Sequence, residues 1–399
     1  MFKSYWVCIL VSSITLSCSP VKQSAPTSKD NLPSIDSFRT ADLLFLSPEK
    51  QLSYYQNADR ILPTNKIEAG KKKHSLKEAP ENLSDFSFSF KDTVRTLNDF
   101  MKDTRVVGLI VLKNDTVLYE QYNDGTKRET KWINFSVAKS VTSLLYGVAL
   151  QDGYIKTLDE KVTQYIPELV GSVYDSVSLH DLLQMSSGVA WNDDPRDRES
   201  DLVKVGRMED EQGWPGVAKY LSQLKRAAPA GTKFNYNTVE VNLAGLILNK
   251  AVGKPIAEYL SEKIWKPFGM HADANWVKSR SLKKELGGCC ISATLRDYAL
   301  LGLFAANNGI DLDGKQILHP EWMQKATRST SSYKGYGYYW WLRPGGIYFA
   351  SGSFGQQIEI DPSQQMVVAV QSYWPTAFNN YYVGYLDAMI AAMQKRFRK

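Results

Sequence analysis

Histidine is scarce in this chain of 399 residues. There are four, at positions 74, 180, 271 and 319, and none lies near another in sequence. A Ser-His-Asp triad therefore has little to recommend it. No His-x-x-x-His spacing suggests a metal site. Cysteine is equally scarce: Cys8, Cys18, Cys289 and Cys290 make no Cys-x-x-Cys pair. Neighbouring cysteines rarely bond each other, so Cys289 and Cys290 read as small buried residues. The chain has no Gly-x-Gly-x-x-Gly and no phosphate loop, which removes the usual nucleotide and dinucleotide signatures. No metal and no organic cofactor is expected. The net charge of +6 is small for the length. The main basic cluster, Lys71-Lys72-Lys73-His74, lies in a polar stretch and reads as a solvated segment. No basic surface interleaved with aromatics argues for nucleic acid.

What is present is ordinary globular material, with 43% hydrophobic and 23% charged residues. That is enough for a sizeable core, and the length allows two or three domains' worth of chain. After Lys3 comes an apolar run, residues 5–16, too short to span a bilayer and suited to a secretory signal core. It ends at Leu16-Ser17-Cys18-Ser19, which resembles a bacterial lipoprotein signal with Cys18 as the lipidated residue. Residues 1–18 are expected as that signal, and the protein as an exported lipoprotein of the cell envelope, periplasmic or surface-facing. Its only tie to the membrane would be the lipid on Cys18. Residues 19–104 read as a polar tether followed by an N-terminal extension, with a helix expected over 90–101.

The stretch around which the rest is organised is Asn134-Phe-Ser-Val-Ala-Lys-Ser140. Ser-x-x-Lys is a nucleophile signature of serine acyl-transfer enzymes, and its spacing puts both side chains on one helix face. A serine hydroxyl needs a base. Lysine can be that base only when burial or other cations lower its pKa. The pattern occurs six times, beginning at Ser19, Ser47, Ser136, Ser222, Ser281 and Ser331. Only Ser136 opens a long apolar run of helical period, Val137, Ala138, Val141, Leu144, Leu145, Val148 and Ala149, stopped by Asp152-Gly153. That helix should be buried, with Ser136 in its first turn. The other five read as accidental surface pairs.

Residues 108–112 and 116–122 have strand character and are joined by a Lys113-Asn114-Asp115 turn. Between 155 and 330 the chain is mostly helical patches, near 180–185, 217–224, 239–252, 256–264 and 294–307. Strand patterns return at 336–342, 346–351, 355–360 and 366–372, and a helix closes the chain over 382–397. Strands at both ends with helices between imply an α+β fold. One antiparallel sheet flanked by helices would be built from 105–125 and 336–372, and a mainly helical lobe from about 155–330. A cleft at the junction would hold the ligand, within one domain spanning 105–397.

Two further stretches complete a site. Pro229-Ala-Gly231 is a turn ahead of Tyr236, and a helix follows. A tyrosine there can shuttle a proton if Lys139 stabilises its phenolate, although with 22 tyrosines in the chain a core role would otherwise win. In Phe349-Ala-Ser-Gly-Ser-Phe-Gly-Gln356, the glycines suggest close approach of another backbone or a ligand. A backbone N–H from that strand and the N–H of Ser136 would supply the two donors of an oxyanion hole.

Ser136-Val-Ala-Lys139, Tyr236 and Ala350-Ser-Gly352 stand in the order and rough spacing of the serine β-lactamase and penicillin-binding-protein superfamily, which the chain resembles. Leu182-Leu-Gln-Met-Ser-Ser-Gly188, Gly287-Gly288, Ser292-Ala-Thr-Leu-Arg-Asp297 and Tyr336-Gly-Tyr-Tyr-Trp-Trp341 look like its class C and esterase-like branch, including aminohexanoate-dimer hydrolases. The resemblance covers about residues 105–395. It implies a serine hydrolase acting on an amide or ester through an acyl-enzyme on Ser136, with Lys139 and Tyr236 as general base and acid. The N–H groups of Ser136 and Ser353 would form the oxyanion hole. Thr238, Ala350, Ser351, Gly352 and Trp341 would stand at the substrate. The sequence departs from the family at Thr238, where asparagine is common, and at Ala350, where lysine or histidine is common. The lost cation turns the expectation away from penicillins and toward the esterase-like relatives. A β-lactamase or D-alanyl-D-alanine peptidase is the rival activity, and a catalytically silent, lipid-anchored binding protein the rival of another kind. The partner is a small amide or ester, and the oligomeric state is not legible.

Overall fold

The computed structural model describes residues 32–398. The signal-like segment with Cys18, and the tether up to Asn31, lie outside the described residues. The extension expected ahead of residue 105 is not a separate piece: from Leu32 onward it belongs to the same compact unit as the rest.

The scaffold is a seven-stranded sheet. Its strands, from one edge to the other, are Trp341–Leu342, Tyr348–Ser351, Gln357–Asp361, Met366–Ser372, Val106–Lys113, Thr116–Tyr122 and Lys77–Glu78. The two ends of the domain meet where Met366–Ser372 pairs with Val106–Lys113, as expected. Every pairing is antiparallel except the last, in which Lys77–Glu78 runs parallel to Thr116–Tyr122. The central strands are nearly continuous apolar runs because both faces are covered, with the strand period of two dividing the side chains between them. Leu109, Val111, Val368 and Val370 face the closing helix Asn380–Arg396 through Tyr385, Met389 and Ile390. Ile110, Leu112, Val367 and Ala369 face the other way, against Leu295–Ala306 and Val137–Gln151. Helix and sheet approach closely at Gly302, where a Cβ would stand 2.6 Å from Val367 Cγ1.

A second, four-stranded sheet was not foreseen. It joins Thr64–Ile67, Ala274–Val277, Ile291–Ala293 and Trp132–Ile133, all antiparallel. The helical lobe is present, with Thr238–Val252 packed on Val137–Gln151. The helix expected near 217–224 begins earlier, spanning Asp201–Ser222 with a break at Gly213 (φ 63°). Three local expectations change. Residues 87–96 form a hairpin, Ser87–Phe90 with Thr93–Thr96, and the helix starts only at Leu97. The alternation Ser-Phe-Ser-Phe is a strand period, and the Thr96 hydroxyl, which accepts the Asp99 N–H, caps the helix behind it. The strand expected over 336–342 shrinks to Trp341–Leu342, because Tyr336, Tyr338, Tyr339 and Trp340 all turn into the core and Tyr339 is left-handed (φ 61°). Cys289 and Cys290 are joined as a disulfide, in a turn where Cys290 takes φ 83°. No helix among the described residues is long and apolar enough to cross a membrane.

One buried group in the lobe has a consequence for stability. Glu240, in the first turn of Thr238–Val252, is fully buried, and one of its carboxylate oxygens has no partner among the described residues. Burial pushes its pKa from 4.5 up to about 7, opposed by hydrogen bonds from Ser187 and Tyr174. The folded state thus favours the protonated acid. That stabilisation is complete below the unfolded value and is lost as pH rises through about 7. Glu240→Gln should remove the loss. Its melting temperature should match wild type near pH 4.5 and exceed it above pH 7, the gap reaching on the order of 3 kcal/mol. Melting curves of the two proteins that stay parallel across this range would contradict the assignment.

Candidate active site

The chain arrives at Ser136 along a track fixed on both sides. Asn134 exchanges two bonds with Ile291: its N–H donates to the Ile291 carbonyl, and its Oδ1 accepts the Ile291 N–H, each at 2.9 Å. Phe135 is left-handed (φ 47°), a conformation that costs a bulky residue on the order of 1–3 kcal/mol. It is held there by the Cys290 N–H, which donates to its carbonyl at 3.2 Å, and by the rings of Tyr55 and Phe354, each 5.0 Å away. The turn places Ser136 as the cap residue of Val137–Gln151, one position before the helix rather than inside its first turn. As expected, every residue from Val137 to Ala149 is buried.

Lys139, one turn further on, is 1% exposed. Its Nζ lies 2.9 Å from Ser136 Oγ and donates to the Gly288 carbonyl at 2.8 Å. Burial lowers its pKa from 10.5 to about 7, and the carboxylate of Asp193 pulls it partly back up. A lysine so placed is neutral often enough near pH 7 to act as a base.

Tyr236 stands across from this pair, its ring centre 5.0 Å from Lys139 Nζ. Trp341 stacks on it at 5.9 Å with 19° between the planes, and the Asn235 N–H, donating to the Met185 carbonyl at 2.7 Å, ties down the preceding residue. Burial pushes the phenol above its ordinary range, with a hydrogen bond to Ser136 opposing. Burial thus favours the protonated phenol over the phenolate in the free protein.

Asp193 was not anticipated. It accepts the Trp191 indole N–H at 2.7 Å, the Thr238 N–H at 2.8 Å and the Thr238 hydroxyl at 2.7 Å. It therefore sits at the N-terminus of Thr238–Val252, where a carboxylate is favoured. Burial raises its pKa while Lys139 lowers it. No spacing or neighbouring residue marks it in the sequence. It becomes distinctive only by lying beside Lys139.

The loop after Tyr348–Ser351 closes the site. A Cβ on Gly352 would stand 2.5 Å from the Asn134 carbonyl, so only glycine lets this loop press against the segment that leads to Ser136. The next residue, Ser353, lines one cavity together with Ser136, Asp193, Tyr236 and Thr238. Neither the Ser136 N–H nor the Ser353 N–H donates to any other group among the described residues. Two uncommitted donors beside a nucleophile are what an oxyanion hole requires.

The expected substrate-side residues are placed unequally. Thr238 lines the cavity, but its hydroxyl is engaged by Asp193. Ala350 is buried opposite Ile358, Ser351 pairs with Gln357, and Trp341 supports the Tyr236 ring. Two nearby cations could replace the one missing at Ala350: Lys334 is exposed, while Arg343 pairs with Glu359 at 3.0 Å and with Asp387, its guanidinium 4.3 Å from the Phe349 ring centre.

Similarity to known proteins agrees with this geometry. The sequence profile of the Beta-lactamase family matches residues 93–380. A 6-aminohexanoate-dimer hydrolase of Paenarthrobacter ureafaciens is 26% identical over 312 residues, covering 72% of this chain and 78% of its own. Among solved structures, a candidate 6-aminohexanoate-dimer hydrolase from Bacillus anthracis superposes with a TM-score of 0.73 at 23% identity, covering 87% of this chain and 95% of the other. An octameric penicillin-binding-protein homologue from Pyrococcus abyssi gives a TM-score of 0.57 at 18% identity, over 74% and 76% of the two chains. With a profile that spans well over half of its length, the chain belongs to the beta-lactamase family of hydrolases.

Proposed function

We propose that the protein cleaves an amide or ester bond through an acyl-enzyme on Ser136. The observation that carries this reading is Lys139 Nζ at 2.9 Å from Ser136 Oγ, with burial setting its pKa to about 7. Neutral Lys139 takes the hydroxyl proton as Ser136 Oγ attacks the carbonyl carbon. The N–H groups of Ser136 and Ser353 hold the oxyanion. Asp193 offsets the positive charge that forms on Lys139. Tyr236, still carrying its proton, gives it to the leaving nitrogen or oxygen and recovers one from Lys139. Water then attacks the ester on Ser136, Lys139 accepting its proton and passing it to Ser136 Oγ as the acyl carbon–oxygen bond breaks, so that release of the acid restores the starting state. Intact-mass analysis after exposure to a fluorophosphonate should show one adduct, mapping to Ser136 by peptide digestion. No adduct, or an adduct on another serine, overturns the reading and favours a silent binding protein.

The same reading extends to substrate charge. Ala350 provides no cation, Arg343 is already paired with Glu359 and Asp387, and Lys334 is exposed and does not line the cavity. A charge-assisted hydrogen bond to a substrate carboxylate contributes roughly 1.5–3 kcal/mol, or about ten- to a hundredfold in rate. Neutral short-chain esters should therefore be turned over better than penicillins or cephalosporins. The check is kcat/KM for p-nitrophenyl butyrate against a chromogenic cephalosporin, each corrected for its intrinsic reactivity. A clear preference for the cephalosporin would restore the β-lactamase reading.

A further inference from the structure

The cavity that holds Ser136 does not end at the catalytic groups. About 170 Å³ in volume, it continues between the helices Asp201–Ser222 and Thr238–Val252. Its walls there are Leu202 and Val205 on one side, Leu243 and Leu246 on the other, with Leu286 and, from the N-terminal extension, Ala41. Its lining also carries the charged residues Lys278, Lys284, Glu285, Glu209 and Asp210; Lys278 Nζ donates to Asn65 Oδ1 at 2.8 Å, and Glu285 accepts from Asn65 Nδ2 at 2.7 Å. Glu209 accepts the Ser281 N–H and hydroxyl at 3.2 and 2.7 Å, and Asp210 lies 3.6 Å from Arg39 and 3.4 Å from Arg280.

We infer that this extension of the cavity binds an unbranched, uncharged aliphatic chain on the acyl side of the substrate. The inference rests on the serine-hydrolase reading for the identity of the site. A leaving group must diffuse away before water can act, whereas the acyl part stays attached to Ser136 through both steps. An apolar recess that opens on Ser136 suits the part that stays. The leucine and valine side chains reward each added methylene and disfavour a charged or hydrogen-bonding group lodged between them.

The experiment compares p-nitrophenyl acetate and octanoate on wild type, Val205→Trp and Leu246→Trp, the two variants narrowing the recess from opposite walls. Full burial contributes up to about fourfold per methylene, so wild type should favour octanoate by about tenfold or more in kcat/KM. Both variants should bring the ratio near one while leaving acetate hydrolysis within a few-fold, with melting curves confirming that they fold. A parallel measurement on Ser136→Ala, calorimetry with octanamide and acetamide, reads the recess without chemistry, and octanamide should bind about tenfold tighter or more. Failure to hydrolyse even acetate would sink the catalytic reading but not the recess, which the amides then decide. Octanamide binding no tighter than acetamide, no preference for octanoate by an active enzyme, or a preference that both tryptophans leave intact would each overturn the inference.

Discussion

Ser136→Ala should lower kcat/KM for an activated neutral ester by several powers of ten, approaching about a millionfold if the nucleophile and its base act as one unit. The substitution removes one oxygen and little else. The Ser136 side chain makes no capping bond to the helix it precedes, so the usual cost of deleting a serine cap, about 1 kcal/mol, does not arise. The backbone N–H of residue 136 also remains. What activity persists should be that of a folded cavity with its donors in place and no attacking group. Melting temperature and circular dichroism should match wild type. A variant that keeps rates within a few-fold of the parent would remove Ser136 from the chemistry altogether.

Lys139→Met should cost nearly as much, and its pH dependence makes it the sharper test. The base must be uncharged to accept a proton, so wild-type kcat/KM should climb with pH through about 7 and level off above it. Methionine keeps the bulk and loses the proton site, and the rising limb should vanish with the rate. Asp193→Asn should act differently. Deleting the neighbouring negative charge lowers the lysine's proton affinity, so the limb moves to lower pH. The plateau falls as well, by about ten- to a hundredfold, because the ammonium formed in the reaction loses its counter-charge. Stability separates this account from simple disruption. A buried lysine whose folded pKa is depressed contributes stability that is fully present only above the unfolded value of 10.5 and is lost progressively as pH falls from there to about 7. Lys139→Met should therefore melt no lower than wild type in mildly acidic buffer. An inactive variant that also melts far lower, or a wild-type limb absent between about pH 6 and 8, would point to a structural lysine.

The parts of this molecule legible in the sequence are those whose cause is local. Ser136 and Lys139 are three residues apart on a helix whose burial is written in its own composition. The strands Val106–Lys113 and Met366–Ser372 are apolar runs with turns at their ends, and Gly352 marks a close contact that proved to be with Asn134. Illegible were the features that depend on what lies opposite. Asp193 is one acidic residue among 42 until folding sets it beside Lys139. The small sheet is built from strands of two to four residues with no pattern long enough to register. Residues 336–340 have strong strand propensity, but burial of four rings overrode it. The disulfide of Cys289 and Cys290 lies where Cys290 takes a left-handed backbone, a conformation that composition does not report.

That small sheet governs when in its life the molecule can act. The residue pairs that fix the approach to Ser136 link position 64 to 277 and position 133 to 292, and the cavity wall is completed only with residue 353. Such distant pairings close late in folding, after large losses of chain freedom. During synthesis, Ser136 and Lys139 emerge together while more than half of the chain is still to come, and for all that interval they are a serine and a lysine on an unsupported helix. The lysine is then solvated and charged, and the serine inert. If Ser136 is the nucleophile, its activation waits on completion of the fold, and an unfinished chain carries no activated serine.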